Sequence, residues 1–167
     1  MPADPADDDA WRRADRVAHA GLLLDSHARL LGRDLVDRTG SDVDQARRLF
    51  EAAFVVVSHG VEADPVLNYG NRVALALWEM EFETLARTPS RLTAEPVHRE
   101  ERARLLDRTR RHGFVDDYAG VRISSTGRRF RIERATVWNL VDAAGVHRGQ
   151  AATFATWTPL PDGRPPA

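Results

Sequence analysis

Apolar positions follow two different periods along this chain, and the change from one to the other divides it. Between Trp11 and Leu31 the residues Val17, Ala20, Leu24, Ala28 and Leu31 recur at intervals of three and four, which marks one face of a helix ending near Gly32. Asp42 to Ala53 predicts a second helix, capped by Ser41 or Asp42, with Val43, Ala46, Leu49 and Phe50 on one face. FVVVSHG then reads as a buried strand that stops at Gly60, and after the turn around Asp64 and Pro65 a short strand VLNY leads to Gly70. Asn71 caps a helix through RVALALWEM, and Phe82 to Ala86 makes one helical turn that Thr88-Pro89 breaks. From Pro96, VHREERARLLDRTRRHG predicts a long helix stopped by Gly113. Arg99, Arg102 and Arg110 are expected on its outer side, and Leu105, Leu106 and Val97 on its inner side.

Beyond Gly113 the period shortens to two. VDDYAGVRISS, GRRFRIERATVWNLVD and VHRGQAATFATWTPL predict three consecutive antiparallel strands, joined by tight turns at Ser125-Thr126-Gly127 and Ala143-Ala144-Gly145. The class is therefore α+β: a five-stranded antiparallel sheet covered on one face by short helices and preceded by N-terminal helices. Residues 1–10 and 159–167 are expected to be unstructured tails. That leaves 11–53 as helices for capping or dimerisation and 54–158 as the main domain.

Composition narrows the chemistry. The chain has 167 residues, 43% of them hydrophobic and 29% charged, with a formal net charge of -1. That is one domain with a real core, and neither a disordered chain nor a basic nucleic-acid surface. All 24 basic residues are arginine and alternate with acids, a pattern of coding bias more than of guanidinium-specific sites. There is no cysteine, which removes disulfides, thiolate metal sites, cysteine nucleophiles and flavin-cysteinyl photochemistry. The start MPADPADDDA is acidic where a signal peptide is basic and then apolar, and AGLLL and VALALW are too short for a membrane span. A cytoplasmic protein with no membrane partner is the expectation.

The order of elements resembles the PAS fold over Phe54 to Trp157. The runs NYGNRVALALWEM, TPSRLTAEP, REERARLL, GVRISSTGRRFRIE, ATVWNL and GQAATF resemble, more specifically, the MEKHLA domain, a PAS-related family, and LLDSHARLLGRDL and FVVVSHGVEADP fit it too. MEKHLA domains occur at the C-terminus of plant class III homeodomain leucine-zipper proteins and as free-standing bacterial proteins. This chain looks like the free-standing kind. The resemblance implies a sensory or regulatory module and names no ligand.

In such a fold the sheet and the helices after its second strand would enclose an apolar cavity. Leu77, Trp78, Phe82 and Leu85 would form one wall, Leu105 and Leu106 another, with Tyr118, Phe130, Ile132, Trp138 and residues of AATF from the strands; each taken alone reads as core packing ahead of ligand contact. A bulge near Arg134 would decide which of Val137, Trp138 and Asn139 face inward. Polar residues inside apolar runs must find partners, and His59, Asn68, Asn71, Arg91, Asn139 and Gln150 are of that kind. Asn71 reads as a cap, Asn68 as a turn residue, and His59 as a core or edge histidine or a site residue. Arg91 has two readings, an ion pair with Glu95 or Glu79 and the binding of an anionic ligand. The ligand-binding set is thus His59, Asn68, Trp78, Phe82, Arg91, Leu106, Tyr118, Phe130, Ile132, Trp138 and Gln150.

Haem would need His98 or His112 as an axial ligand, and His98 reads better as part of the helix start. Glu95, His98 and Glu101 at three-residue spacing read as a solvated face and not as metal ligands. Phosphate loops, dinucleotide glycine fingerprints and GxSxG are missing, so no catalysis is expected. The alternatives are an NTF2-like enzyme with His59 and Asp116 as a general-base pair, and a scaffold with a filled core and no ligand. A small ligand or protein partner, and a homodimer through the Trp11 to Leu31 helix, complete the expectation.

Overall fold

The structure is a computed structural model and describes residues 9–161. A 3-10 turn at Ala10–Arg12 leads into helix α1 (Ala14–Leu31), which Gly32 ends in a left-handed conformation. Helix α2 (Asp42–Glu51) opens with a reciprocal cap between Ser41 and Asp44. Strands β1 (Val55–His59) and β2 (Leu67–Gly70) follow, then the short helices α3 (Arg72–Trp78) and α4 (Phe82–Leu85), and a 3-10 turn at Ser90–Thr93. Helix α5 (Pro96–His112) starts with proline in its first turn and ends at Gly113. Strands β3 (Phe114–Ile123), β4 (Arg129–Val141), β5 (His147–Phe154) and β6 (Thr156–Pro159) complete the chain. Of the expected tails, 1–8 and 162–167 lie outside the described residues, whereas Ala10 opens the first turn and Pro159 pairs with Phe130.

The strand order is β2-β1-β5-β4-β3, all pairs antiparallel, with β6 continuing along β4 in the register of β5. The three late strands are neighbours in one sheet, as the period-two pattern predicts. Helices cover both faces, not one. On the inner face α3 and α5 bury Trp78 and Leu105 against Val55, Ile132, Val137 and Phe154. On the outer face α1 and α2 bury Leu23, Leu24, Leu49 and Phe50 against Val56, Trp138, Leu140 and Ala151. The apolar stripe expected on α1 thus has its partner within the chain: Ala20 and Leu24 are buried and Val17, Ala28 and Leu31 half-buried.

Two left-handed residues set which side chains face which helices. Asp117 (φ 56°) and Arg134 (φ 53°) lie where the β3–β4 register shifts. Each inserts a residue, and side-chain parity reverses across it. On β4 the inner face therefore carries Phe130 and Ile132 before the bulge and Ala135 and Val137 after it. Without the bulge Trp138 would have kept company with Phe130 and Ile132; with it, Trp138 turns to α1, where its ring meets His27 edge-on at 5.0 Å.

Asn71 joins three elements. Its Oδ1 accepts from Val56 N at 3.0 Å and Ala74 N at 3.1 Å, and its Nδ2 donates to Phe54 O at 2.8 Å and Leu49 O at 3.2 Å. It is a cap for α3, and it also ties the end of α2 to β1. All four hydrogen-bonding positions of the amide are filled, as a fully buried Asn requires.

Candidate functional site

Between the inner face of the sheet and α5 lies a cavity of about 70 Å³. Helix α5 reaches it through Arg102, Leu105 and Leu106, which share one face with buried Thr109 at helical spacing. Ser90 and Thr93 arrive because the chain after Thr88 runs beside β2: Leu67 N donates to Thr88 O at 2.9 Å and Ser90 N to Pro65 O at 2.8 Å. The strands contribute His59 from β1, Tyr118 and Arg122 from β3, Ile132 and Val137 from β4, and Gln150, Ala152 and Phe154 from β5. Trp78 closes the α3 side.

Two glycines shape these walls. Gly149 has φ 144°, and a Cβ there would fall 2.0 Å from the carbonyl oxygen of His59, so β5 can approach β1 only as glycine. At Gly120 a Cβ would lie 2.3 Å from the Tyr118 hydroxyl and 3.1 Å from Arg122 Nη1. Its bare backbone lets Tyr118 and Arg122 meet across it, with Arg122 Nη2 donating to the Tyr118 hydroxyl at 3.2 Å.

The polar groups of the cavity are unevenly satisfied. The Gln150 amide nitrogen is committed: Nε2 donates to Leu106 O at 2.8 Å and to Asn139 Oδ1 at 3.1 Å. Tyr118 donates to the Glu101 carboxylate at 3.0 Å. Arg102, 9% exposed, has five N–H donors and one hydrogen bond, from Nη2 to Ser90 Oγ at 2.6 Å. Arg122, 6% exposed, bonds the backbone oxygen of Val121 at 2.8 Å and Tyr118. Among the described residues neither guanidinium pairs with a carboxylate. Burial, and after it the charge of Arg122, lowers the pKa of Arg102 to about 10, so it stays charged at neutral pH. His59 Nδ1 lies 2.9 Å from Gly60 O and holds the proton, which leaves Nε2 buried without a partner. Burial holds the His59 pKa below its ordinary value. The buried indole Nε1 of Trp78 also lacks a partner.

Of the eleven expected ligand-binding residues, His59, Trp78, Leu106, Tyr118, Ile132 and Gln150 line this cavity. Five do not. Trp138 faces α1 because of the Arg134 bulge. Phe130 packs behind the wall, edge-on to Trp78 at 5.3 Å. Phe82, like Leu85, belongs to the outer core, with the Arg16 guanidinium 4.0 Å over its ring. Asn68 Oδ1 accepts from Ser58 Oγ at 2.6 Å on the α1 side. Arg91 is exposed and pairs with Asp64 at 3.1 Å, with neither Glu95 nor Glu79.

Arg102 corrects the expectation in the other direction, being inside, whereas Val97 is 78% exposed. Position 102 falls three residues before Leu105, and 122 falls four after Tyr118 with Gly120 between. Both spacings were in the sequence, and the usual outward reading of arginine hid them.

Asp116 is exposed, and β5 and β4 stand between its strand and that of His59, so the two strands are about 14 Å apart at the spacing of adjacent strands. They form no general-base pair. His98 and His112 are not among the residues lining the cavity. Glu95 pairs with Arg129, and Glu101 accepts from Tyr118.

The MEKHLA domain model matches residues 17–159, taking in most of α1 and all of α2 with the sheet. The chain belongs to the MEKHLA domain family. Solved structures place this MEKHLA domain among PAS folds. A PAS domain from Colwellia psychrerythraea has a TM-score of 0.57 at 12% identity, over 66% of this chain and 91% of that one. A fungal LOV domain photoreceptor has a TM-score of 0.56 at 16% identity, over 91% of this chain and 98% of that one. The light-state dimer of the fungal blue-light photoreceptor Vivid gives 0.52 at 14% identity, over 80% and 90% of the two chains. A search of curated proteins finds no match. A photoreceptor flavin does not fit the residues here: there is no cysteine, and about 70 Å³ is far below the roughly 300 Å³ at which sites for such molecules begin. Among the described residues no helix is long and apolar enough to cross a membrane.

Proposed function

We propose that this MEKHLA domain is a sensory or regulatory module that takes a small ligand into the cavity between α5 and the sheet, and performs no catalysis of its own. The observation that carries the reading is the set of buried polar groups left without partners there, Nε2 of His59 and Nε1 of Trp78. Buried groups of this kind each cost about 1–3 kcal/mol when unmet, and these two, unlike the orphan atoms of Tyr69 and Trp138 in the filled outer core, belong to residues that line a cavity where a guest can meet them. The volume, about 70 Å³, suits a guest of a few heavy atoms or about five waters.

Occupation would act on α5, since Arg102, Leu105 and Leu106 sit on its inner face, and movement of that helix is the signal a partner would read. A homodimer through α1 is not part of this reading, because the stripe that suggested it is covered by α2 and the sheet; a dimer in sedimentation equilibrium of the full chain would restore it. The test of the main reading is a thermal-shift screen of the full chain against small metabolites, repeated on Ala152→Leu, which fills the cavity from β5. The expected result is at least one compound that raises the Tm saturably in the native chain and not in the variant. A screen with no such compound favours the scaffold.

A further inference from the structure

The cavity is rich in donors and poor in acceptors. Arg102 and Arg122 line it together, both nine-tenths buried and both without a carboxylate partner among the described residues. Their charges act on each other across it. The Trp78 indole adds a buried N–H with no acceptor. Ser90 Oγ accepts from Arg102, so its own proton is free to be donated. The nearest acids are engaged elsewhere: Glu101 is reached from Arg122 only through the Tyr118 hydroxyl, and Asp64 pairs with exposed Arg91. Two like charges held in a buried space call for an anion between or beside them. Val57, Leu105, Ile132, Val137 and Phe154 give the lining its apolar part, and Thr93, His59 and Gln150 are among its further polar members.

We propose that the cavity binds a short-chain monocarboxylate, its carboxylate held by the guanidinium groups of Arg102 and Arg122 and its hydrocarbon end against Leu105, Ile132 and Val137. The inference rests on the reading of the cavity as a ligand site and adds the chemical class. Planar guanidinium forks match a carboxylate in two-point hydrogen bonding, whereas the few heavy atoms that the volume admits rule out a long chain. Neutral His59, with its lone pair at Nε2, sits on the β1 side and becomes a further donor on protonation.

The test is isothermal titration of the full chain with acetate, propionate and butyrate, and in parallel with their neutral amides, at constant ionic strength set by sodium chloride. Saturable binding of a carboxylate at least tenfold tighter than its amide is expected, weakened at least tenfold in Arg122→Met and in Arg102→Met. If either variant fails to fold by circular dichroism, the comparison of carboxylate with amide on the native chain still decides. Amides that bind as well as the acids, or sodium phosphate that binds as well as propionate, would overturn the carboxylate assignment and leave the ligand-site reading standing. Absence of binding by acids and amides alike up to 100-fold excess over the protein in the titration, together with an empty thermal-shift screen, would remove both.

Discussion

The two faces of the sheet are made by the same strands and solve the problem of buried polarity in opposite ways. On the outer face the serines at the contact between α1 and the sheet are answered. Ser58 Oγ donates to Asn68 Oδ1 and lies 2.9 Å from His19 Nε2, and Ser26 Oγ bonds both Val141 O at 3.1 Å and Val141 N at 3.0 Å. Tyr69 and Trp138 keep one orphan atom each, inside otherwise apolar packing. On the inner face two arginines, a histidine and an indole surround a space: the guanidinium groups bond Ser90, Val121 and Tyr118 and no carboxylate, and Trp78 Nε1 and His59 Nε2 are buried without a partner. The outer face is built as a core and the inner face as a receptacle. Substitutions on the two faces should therefore change stability with opposite sign.

The largest effect is expected at Trp138. Its side chain is fully buried between β4 and α1, and Trp138→Ala should cost about 3–5 kcal/mol, seen as a lower urea midpoint with an unchanged slope. A loss under 1 kcal/mol would mean that α1 is not bound to the sheet as described.

Acid should loosen the same face next. Burial lowers the His19 pKa from 6.5 to about 4, with Asp15 opposing it. Since the folded value lies below the unfolded one, the unfolded chain takes up the proton first. Stability is present above about pH 6.5, falls as pH drops towards 4, and changes no further through this group below that. The difference amounts to at most about 3 kcal/mol. His19→Gln, which can still donate to Ser58, should flatten the pH dependence of the Tm between 6.5 and 4 relative to the native chain; parallel curves for the two would sink the assignment.

A smaller loss belongs to Ser58→Ala. It leaves the His19 Nε2 proton and Asn68 Oδ1 without partners, at a cost of about 2 kcal/mol. Denaturant titration should show it, and a double variant with His19→Ala should lose less than the sum of the two single changes.

Much of this architecture can be read from the chain because the period of its apolar residues changes where its elements change. Gly32, Asn71, Pro96 and Gly113 mark ends that the structure keeps. The site was only half legible. A single residue, Arg134, reverses the parity of β4; the sequence pointed to a bulge near it as what decides the register, but nothing in an alternating strand says whether the backbone there turns left-handed. That one bend moved Trp138 from the expected cavity wall to the opposite core. Arg102 and Arg122 were missed for another reason: charge is read as exposure, although helical spacing from Leu105 and strand alternation from Tyr118 put both inside. Phe82 and Asn68 depend on how α4 and β2 meet α1, a contact between segments far apart in sequence that no local pattern encodes.

The smallest predicted change has the opposite sign, and it separates the faces most sharply. Arg102 is a charge held 9% exposed with a single hydrogen bond, to Ser90. Removing such a charge from water is costly, and no carboxylate in the described chain repays the cost. Arg102→Met keeps the apolar stem of the side chain beside Leu105, ends about where the guanidinium begins, and leaves only the Ser90 hydroxyl to find water. The ligand-free variant should accordingly be as stable as the native chain or about 1 kcal/mol more so, by urea titration in buffer free of small carboxylates. Adding propionate should then stabilise the native chain and not the variant, so that the order of the two reverses with ligand present. A ligand-free Arg102→Met that loses 2 kcal/mol or more would show that the guanidinium is part of the core and not of a receptacle, and the contrast between the two faces would disappear with it.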